Sequence, residues 1–476
     1  MRDSTSHMSS PNPATSSTSN AQTGMFRLPD GKNLLFTFCL VSSLFLLWGI
    51  CNGMIDVMDK HFQNQLNLTK AQSANVQFAH YLGYFLMALP AGWLARRWGW
   101  KGGIIAGLLL VAAGGFWFIP ATSIQHAAEA GTVSANTAFI AYLAGVCAIA
   151  AGLTFLETVA NPYTTVLGPA RYAATRINLA QSCNGVGWIF GPIIGAQYFY
   201  SKDPKIYVPY VAVAFVVIVL ATIFKVSYVP DIKNEDDYHL DEHKKDLEHS
   251  LLKRPHFLMA VAAQAFYVAA QAGIFGFFIN SMTVDRVTGF TMVPAIPDSW
   301  GAGLLKSLFE TGPNGLLHIS DEGAAKLASA AFVCFLLGRI SGSFLLKKFS
   351  AHKVLGLYGT LNVIACLLIV CNLGWVSVAC VFLSYFFMSI MYPTIFALGI
   401  FGLGEKTKKA SSFIVMAIMG GAILPKLMGA VADKYDMSRG FIVPAACFAF
   451  VAFYAYAWPK LAKADSLHGV GGNGGH

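Results

Sequence analysis

The chain has 476 residues, of which 55% are hydrophobic and only 12% are charged, and its net charge is +9. Soluble domains carry about 25% charged residues, so this composition indicates a membrane protein and excludes an ordinary soluble domain. The basic residues stand singly or in pairs between apolar runs, and we therefore expect no nucleic-acid partner. All nine cysteines lie in apolar segments without metal or disulfide spacing, so we expect no metal site and no cofactor.

Apolar stretches long enough to cross a bilayer recur between residues 33 and 460, and we predict an all-α membrane protein with twelve transmembrane helices. The polar segments 1–32 and 461–476 are expected to be disordered tails. The predicted spans are 33–58, 74–95, 102–120, 138–166, 177–200, 206–229, 256–282, 323–346, 353–371, 374–401, 409–432 and 440–459.

The distribution of positive charge orients these spans. With both termini placed inside, twenty-two of the 33 Lys and Arg residues fall on the inner side and nine on the outer side. An excess of Lys and Arg marks the cytoplasmic side, so we predict cytoplasmic termini.

Two sequence blocks recur at half-chain spacing. ETVANPYTTVLG at 157–168 resembles MSIMYPTIFALG at 388–399, and GWIFGPIIGA at 187–196 resembles GAILPKLMGA at 421–430. Such duplication is typical of transporters built from parallel repeats, which bind substrate between the repeats near the bilayer midplane. The alternative is chance, because Gly and Pro are common in membrane helices.

The duplication predicts two six-helix bundles, 33–229 and 256–460, related by pseudo-twofold symmetry and joined by a charged cytoplasmic linker at 230–255. Each bundle has a basic pair in the short inner loop between its second and third helix. We assign these loops to a cytoplasmic gate that consists of Arg96, Arg97, Lys101, Lys347 and Lys348.

Glu157 is the most informative residue, because residues 130–156 and 158–170 contain no charged side chain. A carboxylate in such a segment costs about 2.5–3.5 kcal/mol on insertion scales, and residues of this kind usually face a cavity or a partner. Burial disfavours the charged form, so this group can exchange a proton when the cavity closes. The alternative is a carboxylate that only holds two helices together.

Other polar residues inside the spans share helix faces at spacings of three or four. Amides and carboxylates can bond several hydroxyl groups while aromatic rings cover a sugar face, so we predict a cavity for a polyhydroxylated ligand. Hydrogen bonds between helices are the alternative for some of these residues, and an interfacial position is the alternative for the carboxylate on helix 1. The candidates are Asn52 and Asp56 on helix 1, Glu157 and Asn161 on helix 4, Gln181 and Asn184 on helix 5, and Gln264, Tyr267 and Gln271 on helix 7.

Several motifs resemble the L-fucose:proton symporter family of the major facilitator superfamily over residues 33–460. They are FLLWGICNGMID, GYFLMALPAGWLARRWGWKGGI, GLTFLETVANPYTTVLGP, NLAQSCNGVG, AQAFYVAAQ, FFMSIMYPTIFALGI and ASSFIVMAIMGGAILPKLMG. The resemblance implies a monomeric transporter of the bacterial inner membrane that imports a monosaccharide such as fucose, galactose or glucose with a proton, by alternating access.

The resemblance also implies that Asp56 and Glu157 carry proton coupling and sugar contact, and that Gln181 and Asn184 are amides of the sugar site. Asn52 matches the first of two adjacent family asparagines. Gly53 replaces the second asparagine, so the motif does not single out L-fucose.

Three other readings remain open from the sequence. One is an N-acetylglucosamine carrier or a sodium-coupled sugar carrier on the same fold. A membrane enzyme would need clustered His and Asp residues or a metal motif, which the scattered histidines do not form, so we expect no enzyme. A sensor that binds sugar without moving it would usually carry a signalling domain.

Overall fold

The structure is a computed structural model, and it describes the following residues: 25–27, 32–168, 173–201, 204–230, 251, 253–285, 288–296, 308–311, 316–401, 403 and 407–463. Within these ranges, ten helical segments are long and apolar enough to cross a membrane. The two remaining predicted spans, 74–95 and 177–200, are also helical over most of their length. The twelve-helix fold is thus confirmed.

The first half of the chain builds one bundle. Its helices are α1 (Leu35–Asp56), α2 (Met58–Leu66), α3 (Lys70–Ser73), α4 (Asn75–Glu129), α5 (Ala135–Val166), α6 (Ala173–Phe199) and α7 (Tyr207–Val226). Helices α1 and α2 together form the first span, and α4 contains the second and third spans. Gly99, with φ 72° and ψ 179°, makes the turn between those two spans, in a backbone conformation open essentially only to glycine.

The second half builds the other bundle. Its helices are α8 (Pro255–Gly276), α9 (Phe278–Met282), α10 (Asp321–Lys348), α11 (Ala351–Val370), α12 (Trp375–Met388), α13 (Met391–Ile400), α14 (Thr407–Met416), α15 (Gly420–Lys434), α16 (Met437–Gly440) and α17 (Ile442–Ala462). A 3-10 turn, Ala417–Met419, joins α14 to α15. Most of the predicted linker 230–255 lies outside the described residues.

A small β-hairpin in the outer segment between α9 and α10 adds to the predicted all-α fold. Strand β1 (Phe309–Thr311) pairs antiparallel with β2 (Leu317–Ile319). Ser320 then caps α10 by accepting a hydrogen bond from the backbone nitrogen of Gly323 at 3.0 Å.

The N-terminal segment that precedes α1 packs against the first bundle where the structure describes it. The ring of Phe26 lies 4.8 Å from that of Phe38, and the backbone nitrogen of Leu34 donates to the carbonyl oxygen of Phe26 at 2.7 Å. The guanidinium of Arg176 donates to the carbonyl oxygen of Met25 at 3.0 Å. Residues 1–24 and 464–476 of the predicted tails lie outside the described residues.

Glycines allow α1 and α6 to pack with their backbones in contact. A Cβ atom at Gly49 would lie 2.2 Å from the carbonyl oxygen of Asn184, and one at Gly187 would lie 2.3 Å from that of Leu46. Small residues at helix interfaces allow this close approach in membranes. The contact holds α1 and α6 together at the level of the cavity described below.

Gly49→Val should therefore destabilise the folded protein strongly. Added volume in a tight core costs about 1–3 kcal/mol or more, and here both neighbouring groups are backbone atoms that cannot rotate away. Gly92→Val is the matched control, since a Cβ there meets nothing within 4 Å. Thermal unfolding in detergent should show a clearly lower melting temperature for Gly49→Val alone, and equal melting temperatures would contradict the proposed backbone contact.

Candidate functional site: Glu157 and the polar residues around it

Glu157 lies in α5 with its side chain half-buried beside α1. Within the described part of the chain it has no hydrogen bond and no ion pair, so its carboxyl group is available to a ligand or a proton. The cavity that it faces is lined by Leu44, Phe45, Trp48, Leu156, Glu157 and Ala160. The role of Glu157 in proton coupling stays a prediction.

Asn161 and Gln181 extend the polar surface around Glu157. The Nε2 atom of Gln181 on α6 donates to Oδ1 of Asn161 on α5 at 2.8 Å, and both side chains are half-buried. Asn161 lies one turn after Glu157 on the same helix face. The pair leaves the Asn161 amide nitrogen and the Gln181 carbonyl oxygen for further hydrogen bonds.

Asp56 is the last residue of α1 and lies inside the protein. It is only 7% exposed, and its Oδ1 atom accepts a hydrogen bond from Nε2 of Gln77 at 3.0 Å. Its Oδ2 atom and Oδ1 of Asn52, one turn earlier, have no hydrogen-bond partner among the described residues. Asp56 is thus enclosed by protein groups, and α1 carries two oxygen atoms without a hydrogen-bond partner among the described residues.

Two predicted cavity residues bond neighbouring helices instead. The hydroxyl of Tyr267 donates to the carbonyl oxygen of Met388 at 3.0 Å, and Nδ2 of Asn184 donates to that of Phe45 at 3.3 Å. Their side chains hold helices together, which was the alternative considered for some of these amides.

The other two candidates on α8 differ in exposure. Gln264 is fully buried, and neither of its side-chain polar atoms has a partner among the described residues. Gln271 is half-buried. Gln264 therefore keeps unused hydrogen-bonding capacity in the second bundle.

Aromatic and basic side chains that the sequence did not single out also occupy the centre. The hydroxyl of Tyr84 accepts a hydrogen bond from the indole of Trp48, and the rings of Tyr267 and Tyr392 lie 6.4 Å apart. Arg339 donates to the carbonyl oxygen of Ser389 at 3.4 Å. Tyr and Trp are frequent in membrane helices, so their types alone gave no signal.

The predicted gate residues lie on the inner side, and their role stays a prediction. Arg97 is exposed and lies over the ring of Trp93 at 5.5 Å, and Lys348 is exposed as well. Lys101 donates to the carbonyl oxygen of Ser227 at 3.1 Å, within the same bundle. The side chains of Arg96 and Lys347 lie outside the described part of the structure.

Polar contacts between the bundles close the outer side. Nζ of Lys70 lies 2.5 Å from Oδ2 of Asp285, and both side chains are about nine-tenths buried. Asp433 accepts hydrogen bonds from the backbone nitrogens of Lys70 and Ala71, each at 2.8 Å. We call Lys70, Ala71, Asp285 and Asp433 the outer latch.

Lys426 on α15 contacts the opposite bundle. Its Nζ atom donates to Oδ1 of Asn75 at 3.3 Å, and its side chain is exposed. Lys426 thus adds a further polar contact between α15 and α4, and Asp433 is left to the latch.

An aromatic cluster lies between the latch and the cavity. Trp188 from the first bundle contacts Phe275 and Phe332 from the second, with ring centroids 5.6 and 4.9 Å apart. Phe275 also stacks on Tyr385 at 4.6 Å. These rings form an apolar contact between the two bundles.

The fold and this site define a membrane transport protein, in which two helical bundles meet through polar and aromatic contacts and the carboxyl group of Glu157 lines a cavity between α1 and α5. The family model described as Major Facilitator Superfamily matches residues 35–312. The L-fucose-proton symporter of Escherichia coli (strain K12) is 32% identical, and the match covers 91% of this chain and 97% of that protein.

Two further comparisons agree. The glucose/galactose transporter of Brucella abortus biovar 1 is 29% identical, over 90% of this chain and 95% of that protein. A crystal structure of the transporter FucP in the outward conformation aligns with a TM-score of 0.62 and 32% identity, over 89% of this chain and 99% of that one. This chain belongs to the L-fucose-proton symporter family of the Major Facilitator Superfamily, as its motifs predicted.

Proposed function

We propose that this protein imports a monosaccharide, a hexose or deoxyhexose such as fucose, galactose or glucose, by proton symport. The observation that carries the proposal is Glu157, a half-buried carboxyl group that lines a cavity between α1 and α5 and has no ion partner among the described residues. Relatives whose names contain fucose, glucose or galactose support the substrate class.

The chemistry of the cavity suits a sugar. Asn161 and Gln181 offer amide donors and acceptors beside Glu157, and Asn52 offers an unsatisfied oxygen atom. Sugar hydroxyls both donate and accept, so they can satisfy such mixed groups. The indole of Trp48, which lines the same cavity, supplies an apolar face for the sugar ring.

Proton coupling follows from the cost of burying an unpaired charge. When the cavity closes around a sugar, an ionised Glu157 would lose its water without gaining a cation, and the neutral form is favoured. The carrier therefore closes more readily when it holds a proton, and releases that proton when water enters from the inner side. Asp56, held by Gln77 on the outer side of the cavity, is the second acid of this cycle.

The sugar crosses the membrane by alternating access. The outer latch closes this protein on its outer side, whereas FucP has been solved in the outward conformation. The two arrangements correspond to opposite ends of a transport cycle in which the bundles move against each other. We propose a monomer in the bacterial inner membrane with both termini in the cytoplasm, in agreement with the excess of Lys and Arg on the inner side.

Uptake by purified protein in liposomes tests this function. Labelled fucose, galactose, glucose and N-acetylglucosamine are offered in parallel, each with an inward proton gradient, an inward sodium gradient or no gradient. We expect one of the first three sugars to accumulate above its outside concentration with the proton gradient only. Accumulation with sodium alone, accumulation of N-acetylglucosamine alone, or no transport of any sugar would contradict the proposal.

A further inference from the structure

Asp59 is a second buried acid on the first span, at the seam between the two bundles. It lies near the start of α2, is 0% exposed, and neither carboxyl oxygen has a hydrogen-bond partner among the described residues. Its Oδ2 atom lies 2.8 Å from the place where a Cβ atom of Gly276 would be. The carboxyl group thus faces bare backbone of α8 in the opposite bundle.

Among the described residues, no group is recorded as forming an ion pair with Asp59. On its own span Lys60 is 5% exposed, and α4 presents the amide of Gln77 beside Gly276. The titratable and charged groups around this seam are Asp56, Lys60 and His61 on the first span, His80 and Tyr81 on α4, Tyr200 after α6, Asp321 on α10 and Tyr385 on α12.

An ionised carboxylate in this position would be very unstable. A buried charge costs several kcal/mol unless it is paired and hydrogen-bonded, and a carboxyl group avoids that cost by binding a proton. Asp56, the nearest acid along the helix, adds repulsion rather than compensation. The closed outer half therefore requires the neutral form of Asp59, while an open, hydrated outer half would tolerate the charged form.

We propose that Asp59 is a proton-binding site that is filled from the outer solution before the outer halves of the two bundles can close. The proton adds to the carboxylate when the seam closes and returns to the same solution when the seam reopens. In this proposal the proton is not transported, because it enters and leaves through the same opening on the outer side. Asp59 thus makes outer closure depend on outer pH, separately from Glu157. The inference rests on the proposed transport cycle.

Linkage between protons and conformation gives a quantitative test. The closure constant is the ratio of molecules closed on the outer side to molecules open on that side. If closure takes up a proton at Asp59, this constant falls as the pH rises. A neutral residue in place of Asp59 should reduce the steepness of its logarithm against pH by one, so that the constant changes about tenfold less per pH unit. The closure constant is measured from the distance between spin labels at Ala130→Cys and the native Cys371. Both are exposed and lie on outer loops of opposite bundles, and the other cysteines are replaced.

Three variants are compared with the parent protein. Asp59→Asn and Asp59→Leu, both neutral, should lose one unit of slope and remain closed at high pH. Asp59→Glu keeps a titratable acid and should keep the slope. If Asp59→Asn or Asp59→Leu folds and its slope equals that of the parent protein, the proposal is overturned. Loss of the slope in Asp59→Glu would overturn it as well.

Sugar uptake is measured on the same preparations, so that two failures can be told apart. If the parent protein takes up no sugar, the proposed function fails, while the slope still reports on Asp59. If the parent protein accumulates sugar and the slope of the neutral variants is unchanged, only the role of Asp59 fails. The number of protons carried per sugar should be equal in Asp59→Asn and in the parent protein, and a lower number in Asp59→Asn would contradict a proton that is not transported.

Discussion

Glu157→Gln is expected to lose proton-driven accumulation of sugar completely, while exchange of labelled for unlabelled sugar continues. Gln keeps the size and most of the hydrogen-bonding capacity of a neutral Glu, so sugar contact and closure of the cavity remain available. It cannot give up a proton on the inner side, so the gradient no longer drives the cycle. Accumulation ratios and exchange rates in liposomes, with and without a proton gradient, measure the two activities.

Glu129→Gln is the matched control. Glu129 ends α4 on the outer surface, where its Oε1 atom accepts a hydrogen bond from Gln125 of the same helix at 2.9 Å. Its removal should change neither accumulation nor exchange. Full accumulation by Glu157→Gln would show that Glu157 does not carry the coupling proton. Loss of both activities in Glu157→Gln would instead assign Glu157 to sugar binding alone.

The sequence predicts the fold well because the bilayer imposes a simple rule on it. Each span must be apolar and about 20 residues long, so hydropathy alone reveals twelve helices. The half-chain repeat then gives two bundles, and one unexplained carboxylate, Glu157, identifies the cavity. These signals are local in sequence, or repeat at a fixed spacing, and need no knowledge of how side chains meet.

Contacts between the two bundles could not be predicted from the sequence. Asp433 and Lys426 lie seven residues apart on α15, which made them plausible partners in sequence, yet each bonds a residue of the opposite bundle more than 350 positions away. Asp59, near the end of the same span as Asp56, was not among the predicted site residues. Only the position of Gly276, on the other bundle, shows that its carboxyl group is enclosed.

The direction of polar atoms was equally hard to predict. Spacing placed Tyr267 on one face of α8 with Gln264 and Gln271, but the Tyr267 hydroxyl donates to a backbone carbonyl at the end of α12. A helical wheel gives the face on which a residue lies. It does not give the neighbour that its polar group reaches, because that depends on the packing of a second helix.

Asp433→Ala should open the outer latch and slow sugar uptake at least tenfold. Asp433 accepts two backbone hydrogen bonds, from Lys70 and Ala71, and hydrogen bonds to charged groups contribute about 1.5–3 kcal/mol each. Loss of about 3 kcal/mol from the closed state shifts the equilibrium towards the open state by about a hundredfold. A carrier held open on the outer side still binds sugar from that side but rarely delivers it inward.

The labelled pair at residues 130 and 371 measures this shift directly, and we expect a longer distance in Asp433→Ala with undiminished sugar affinity from the outer side. Asp436→Ala is the control, because Asp436 accepts a hydrogen bond from the backbone nitrogen of Arg439 at 2.8 Å within its own bundle. That change removes a helix cap, worth about 1 kcal/mol, without touching a contact between bundles. If both variants slow uptake equally, the effect is general destabilisation and the latch role of Asp433 is wrong.

Asp285→Ala tests the same latch from the other side of Lys70. The Lys70 ammonium lies 2.5 Å from Asp285 but 3.7 Å from Asp433, so Asp285 is its main ion partner. Removing one partner of a buried ion pair costs about 3–5 kcal/mol, because the remaining charge stays desolvated. The cost applies only while the latch is closed, since an open latch returns Lys70 to water. Asp285→Ala should therefore lengthen the labelled distance as Asp433→Ala does, and an unchanged distance in both variants would show that other contacts hold the outer side closed.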